Sequence, residues 1–462
     1  MIDFQSKGFE ISAAVRDGRI SATEALRVSL ARIETTNPAL NAFTAVTSER
    51  ARARAAAIDQ ARDEGKPLGP LAGVPFAVKN LFDVAGLSTL AGSKINRDLP
   101  PAGADATLIQ RLEAAGAILV GALNMGEYAY DFTGENIHYG PSRNPHDPSC
   151  MSGGSSGGSG TSVASGMVPL ALGSDTNGSI RVPSSLCGLF GLKPTFGRLS
   201  RHGSFPFVAD LDHLGPMTRS VTDLALSYDA MQGPDENDAW CAQKLREPVA
   251  AKIDAGIDGL RIAVADDYFA AQGDPEVHEA VVAFARALKA DRRVTIPEAG
   301  RGRAAAYVIT TVEGANLHRE RLKTRANDFD PAVRDRFLAG LMLPGDWLVQ
   351  AHRFRAWYRA RVAEVFRDVD VILAPATPRV APKLGQVTMT LNGVEMPVRA
   401  NLGLFTQPIS AIGLPVVAAP WAERDGKLPI GVQIIAAPWK EELALRVARQ
   451  LEKIGIAASK AV

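Results

Sequence analysis

Apolar and polar positions along this chain keep changing period, and the changes mark its elements. Leu26, Leu30 and Ile33 recur at helical spacing behind Ser21-Ala22-Thr23-Glu24, a capping box that predicts a helix start. A second helix is expected in the Ala/Arg-rich segment 52–62, ending near Gly65-Lys66-Pro67. The helical period then gives way to an unbroken apolar run, 74–78, which reads as a buried strand leading into Lys79. Residues 105–115 read as a helix and 118–121 as a strand. Helices alternating with strands predict an α/β fold.

The same reading continues downstream. Two serine-bearing glycine turns, Gly-Gly-Ser-Ser-Gly-Gly-Ser at 153–159 and Asp-Thr-Asn-Gly-Ser-Ile-Arg at 175–181, flank a small-residue helix and a short apolar strand. The Gly/Ser run at 152–160 adjoins apolar residues 163–172, which argues against a flexible linker. Residues 215–219 read as a loop, with Ser220 capping a helix that faces Leu224 and Leu226. A strand at 260–264, a helix at 276–288 and one long helical region from 311 to about 366 follow. Strands at 369–373, 413–420 and 428–435 and a helix at 441–451 complete the pattern.

Length changes this picture little. For 462 residues the prior is two to four domains, but the motifs run from Lys79 to Gln433 without a linker between them. One domain is therefore expected over 1–462: N-terminal helices to about 65, a core at about 66–235, and the rest at 236–462. At 46% hydrophobic and 22% charged residues, the composition is that of an ordinary globular protein. A net charge of +1 gives no reason to expect nucleic acid or an anionic membrane as partner. Cys150, Cys187 and Cys241 have no paired spacing, so reduced thiols are expected rather than disulfides or a metal framework. His138 and His146 are too far apart for one helical turn, and a Gly/Pro-containing loop separates His202 from His213; no metal or cofactor is expected. The N-terminus lacks a secretory pattern and no run reaches ~18 apolar residues, so a cytoplasmic location is expected.

Candidate chemistry lies in the two glycine turns and in Gly73-Val74-Pro75-Phe76-Ala77-Val78-Lys79-Asn80. A serine on a tight turn is exposed as a nucleophile and ringed by backbone N–H groups. A serine hydroxyl needs a base, and lysine serves only when burial lowers its pKa. The apolar run before Lys79 supplies such a dry setting, and the set suggests a Ser-Ser-Lys hydrolase.

On these motifs, with Leu211-Asp212-His213-Leu214-Gly215-Pro216-Met217-Thr218-Arg219 and the late Gly-Leu-Pro and Pro-Ile-Gly-Val-Gln strands, the chain resembles the amidase signature family nearly end to end. The resemblance implies a large mixed β-sheet wrapped by helices, and hydrolysis of amide or related C–N bonds. It implies Ser179 as nucleophile, Ser155 (after a cis peptide) as proton relay and Lys79 as base. Backbone N–H groups of Thr176, Asn177, Gly178 and Ser179 would form the oxyanion hole. Many relatives have glycine at Asn177, so this side chain is expected to narrow the pocket or bond the substrate.

The resemblance also bears on substrate. In glutamine-using amidotransferase subunits an arginine holds the substrate carboxylate and an acidic residue its amino group. By alignment these positions fall at Arg355 and Gly403, which keeps a carboxylate clamp and loses ammonium recognition. Together with Glu-Gly-Ala-Asn-Leu-His-Arg-Glu-Arg at 313–321, this is similar to the carboxybiuret hydrolases of s-triazine breakdown. A small carboxylated amide or urea is thus expected as substrate, with His318 and Arg319 near it and ammonia released. Partners implied are a small helical companion subunit, or a homodimer or heterotetramer. The alternatives are the glutaminase component of an amidotransferase, another small-amide amidase, or a catalytically silent scaffold.

Overall fold

A computed structural model describes residues 2–424 and 426–462. Its centre is a mixed sheet of 11 strands. In chain order these are β1 (Phe43–Val46), β2 (Pro75–Lys79), β3 (Ile118–Leu123), β4 (Leu170–Asp175), β5 (Phe190–Lys193), β6 (His213–Thr218), β7 (Ile262–Ala265), β8 (Arg292–Val294), β9 (Val371–Pro375), β10 (Val416–Pro420) and β11 (Gly431–Ala436). Across the sheet the order is β1-β3-β2-β4-β6-β5-β10-β11-β9-β7-β8. Parallel pairs lie towards either end (β3/β2/β4 and β9/β7/β8), and antiparallel pairs join them through the middle.

Helices cover both faces, so the central strands are buried throughout and read as apolar runs rather than alternating ones. That is the physical reason residues 74–78 and 118–121 stood out. The expected caps are present: Ser21 Oγ accepts from Glu24 N at 2.9 Å, and Ser220 Oγ from Asp223 N at 3.0 Å.

Two expectations need correction. The segment 215–219 is largely strand: β6 runs antiparallel to β4, pairing Gly215 with Gly173. Its glycine and proline hide the strand pattern, and two flanking strands impose it. The long helical region is four helices, Ala299–Leu317, Arg319–Arg325, Pro331–Leu341 and Gly345–Val365. Asp330, whose side chain accepts from Ala332 N at 2.9 Å, and Pro331 restart the third.

The Gly/Ser run forms the helix Gly157–Ala164, every residue of it buried. Small residues are required because other backbone comes close. A Cβ on Gly158 would lie 2.5 Å from Ala42 O and 2.6 Å from Asn124 O. Burial by tertiary contact, not propensity, holds this helix.

Candidate active site

Lys79 ends β2, next to β4, which ends in Ser174-Asp175 and runs into the second glycine turn. Parallel β2 and β4 therefore deliver a lysine and a serine turn to one edge of the sheet. In open α/β sheets, ligand sites form at such carboxyl ends. Lys79 is fully buried, and its Nζ donates to Ser155 Oγ at 2.6 Å and to Ser174 Oγ at 2.8 Å. Burial pulls its pKa from 10.5 to about 7, against the opposing charges of Asp175, Asp212 and Asp131. A substantial neutral fraction is thus present near neutral pH.

Ser155 follows a cis Gly154-Ser155 peptide. The turn is fixed by Gly154 N donating to Phe132 O at 2.9 Å and by Gly126 N donating to Ser155 O at 3.1 Å. Ser174, absent from the expected set, is a second ligand of the lysine. Its place as the last but one residue of a predicted strand beside the nucleophile turn was the available signal.

The second turn is held from beneath. Asp175 accepts from Arg181 Nε and Nη2, each at 2.9 Å, and the Arg181 charge holds its carboxyl well below the usual range despite burial. Arg181 also donates to Thr406 O at 3.1 Å, Gln433 Oε1 at 2.7 Å and Ser410 Oγ at 2.5 Å. Gly178 has φ +142°, and a Cβ there would collide with Thr406 Oγ1, which donates to Asn177 O at 2.7 Å. Thr176 Oγ1 donates to Asp212 Oδ1 at 2.6 Å. Among the described residues, the N–H groups of Thr176, Asn177, Gly178 and Ser179 donate to no protein acceptor, while that of Ile180 turns to Asp175 Oδ2 at 3.3 Å.

Three residues of this turn, Thr176, Asn177 and Ser179, border a narrow, partly enclosed cavity. It is lined by Thr176, Asn177 and Ser179 together with Tyr130, Asp131, Phe132, Phe207, Tyr307, Thr310, Arg336 and Gln407. Lys79 and Ser155 do not line the cavity. Lys79 does not bond Ser179, and among the described residues no hydrogen bond joins Ser155 Oγ to Ser179 Oγ.

Three expected substrate contacts lie elsewhere. Arg355 donates to Asp210 Oδ2 at 2.9 Å, Asp210 O at 2.7 Å and Ala411 O at 2.6 Å, and is absent from the cavity wall. Its guanidinium fastens the helix Gly345–Val365 to two loops. His318 is fully buried in an aromatic cluster, its ring 4.0 Å from that of Tyr128 and 4.7 Å from that of Phe337. Burial and nearby Arg321 push its pKa down to about 3, so it is a neutral packing residue. Arg319 is exposed on the following helix and also absent from the wall. The expectation for them rested on alignment with relatives, and only packing decides which of these side chains reach the cavity.

Arg336, on the helix Pro331–Leu341, is the cation that does line the cavity. It stacks 3.5 Å over the Tyr130 ring and donates to Tyr130 O at 2.9 Å. Among the described residues it pairs with no carboxylate. Gly403 faces Phe132, and a side chain at 403 would run into that ring.

Fold and geometry together describe an α/β protein built around a buried lysine–serine pair beside a small polar-rimmed cavity. Residues 24–445 match the model of the Amidase family, and the chain belongs to that family. It is 54% identical to AtzE of Pseudomonas sp. (strain ADP), which belongs to a 1-carboxybiuret hydrolase, over 393 residues, covering 85% of this chain and 86% of that one. It is 40% identical to a component of the glutamyl-tRNA(Gln) amidotransferase of Anaeromyxobacter sp. (strain K) over 412 residues, covering 82% of each. A solved structure described as an unexpected vestigial protein complex revealing the origins of an s-triazine catabolic enzyme superposes with a TM-score of 0.97. That chain is 55% identical, with 99% of this chain and 100% of that one covered. The chain is an amidohydrolase of the amidase signature fold.

Proposed function

We propose that this enzyme hydrolyses a small carboxylated urea-type amide, 1-carboxybiuret foremost, releasing ammonia through an acyl-enzyme on Ser179. The observation that carries the mechanism is the 2.6 Å bond between Lys79 and Ser155 at the end of two parallel strands. The relative 54% identical to this chain supports the substrate class. Neutral Lys79 takes the Ser155 proton as Ser155 takes that of Ser179, whose Oγ attacks the carbonyl carbon. Catalytic hydrogen bonds often tighten only with substrate in place, and the Ser155–Ser179 leg forms at that stage. The N–H groups of residues 176–179 receive the oxyanion. The proton returns through Ser155 to the departing nitrogen, which leaves as ammonia, and water then cleaves the ester by the same relay.

We assign the substrate carboxylate to Arg336 rather than Arg355. An arginine that borders a cavity without a carboxylate partner is suited to bidentate recognition. Amidotransferase glutaminase activity is the second reading, supported by the 40% identical relative. Against it, Phe132 occupies the space in which an acidic side chain at 403 would bind an α-ammonium. A serine-directed phosphonate should label the wild type and not Ser179→Ala. Ammonia release from 1-carboxybiuret but not glutamine separates the two readings, and the reverse pattern refutes ours.

The reading includes a small companion subunit, for which exposed Leu341, Met342 and Trp347 offer an apolar surface. It also places the enzyme in the cytoplasm, consistent with three buried unpaired cysteines. No helix among the described residues is long and apolar enough to cross a membrane.

A further inference from the structure

Asn177 stands two residues before Ser179, lines the cavity and is 94% buried, with a relative exposure of 6%. Its Nδ2 donates to Thr310 Oγ1 at 2.8 Å, on the helix Ala299–Leu317. Its Oδ1 has no hydrogen-bond partner. A buried acceptor left unsatisfied is destabilising. Such a group persists where a ligand completes it. Thr310 uses its oxygen on Asn177, whereas neighbouring Thr311 turns its hydroxyl back to Tyr307 O at 2.8 Å. In this arrangement the amide oxygen is the group left free.

The chemistry of the missing partner follows. The cavity already brings a serine nucleophile and free backbone donors to one carbonyl. An additional side-chain acceptor beside them calls for a hydrogen-bond donor on the substrate next to that carbonyl. Every amide has an N–H on the leaving side; on the retained side of the carbonyl a carbon amide has a methylene and a urea or biuret an N–H. We propose that Asn177 Oδ1, held in place by Thr310, accepts the N–H on the retained side of the scissile carbonyl, and thereby selects urea-type amides over their carbon analogues. This rests on the proposed amide hydrolysis and names the feature of the substrate that the site reads. Sites built around a substrate N–H reject the analogue lacking it, because their own buried group is then left unpaired.

Biuret and malonamide test this, since they differ only by N–H against CH₂ between the two carbonyls. Wild type should favour biuret in kcat/KM by about 10-fold or more, the factor expected for one lost buried hydrogen bond. Asn177→Leu should erase the preference, and Asn177→Asp, which keeps an acceptor, should retain it even as both rates fall. Thr310→Val should reduce it. Equal fold losses on both amides in Asn177→Leu, with the preference intact, would overturn the proposal. Calorimetric binding of the same two amides to Ser179→Ala gives a readout independent of turnover. Tighter binding of biuret that is lost in Ser179→Ala/Asn177→Leu supports the proposal; equal binding of the two amides to Ser179→Ala refutes it. Absence of hydrolysis on every amide would refute the acyl-enzyme reading instead, and the binding arm would still decide this one.

Discussion

At the scale of single residues, the environment of Lys79 makes the proposed chemistry feasible. Its hydrogen-bond partners are hydroxyls rather than carboxylates, and burial lowers its pKa to about 7 against the charges of Asp175, Asp212 and Asp131. Activity should therefore rise with pH through about 7 in a kcat profile, as the amine loses its proton. Lys79→Met should lower kcat by ~10²–10⁴-fold without loss of fold. The same substitution tests the linkage. Between about 7 and 10.5 the unfolded chain binds a proton that the native lysine does not, so the native state gains stability as pH rises. The methionine variant should thus gain on wild type in Tm as pH falls from about 10 to 7, and a constant difference would contradict the shift. Arg336→Ala should raise KM about 10-fold or more for carboxylated substrates and leave neutral amides nearly unchanged, as for loss of one charged hydrogen bond. Arg355→Ala should instead lower stability and affect both substrate types alike.

Elements explain why these residues meet. Lys79 and Ser174 approach because β2 and β4 are adjacent and parallel, and both end at the site. The turn after β4 is then held by contacts from residues far downstream. Gly178→Ala meets both a φ of +142° and Thr406 Oγ1, so it should cost ~1–3 kcal/mol in urea unfolding and abolish phosphonate labelling. Normal labelling in that variant would show that the turn has slack. The helical period predicted one element from 311 to about 366, missing the start of Ala299–Leu317 and merging it with the helices up to Gly345–Val365, since Asp330 and Pro331 punctuate the region without breaking the apolar pattern.

For the whole molecule, Arg181 is the tie. It joins Asp175, Thr406, Ser410 and Gln433, which lie on both sides of the sheet's antiparallel centre. Arg181→Leu would leave Asp175 charged in the interior without its ion-pair partner, at an expected ~3–5 kcal/mol in equilibrium unfolding. A loss under about 1 kcal/mol would show that this tie is dispensable.

Local information was enough for the strands around Lys79, the two serine turns, the helix caps and the family. Each depends on runs of neighbouring residues: apolar stretches, glycine placement, a serine three before an acid. Which charged residue faces the cavity was not local. Arg336 and Arg355 are both arginines on charge-rich helices of one region, and only the packing of those helices turns one toward Tyr130 and the other toward Asp210. The unpaired oxygen of Asn177 was likewise invisible until Thr310, more than a hundred residues away, came to hold its nitrogen. Side-chain identity is written along the chain, but the partner that satisfies or frees a polar atom is chosen by the fold.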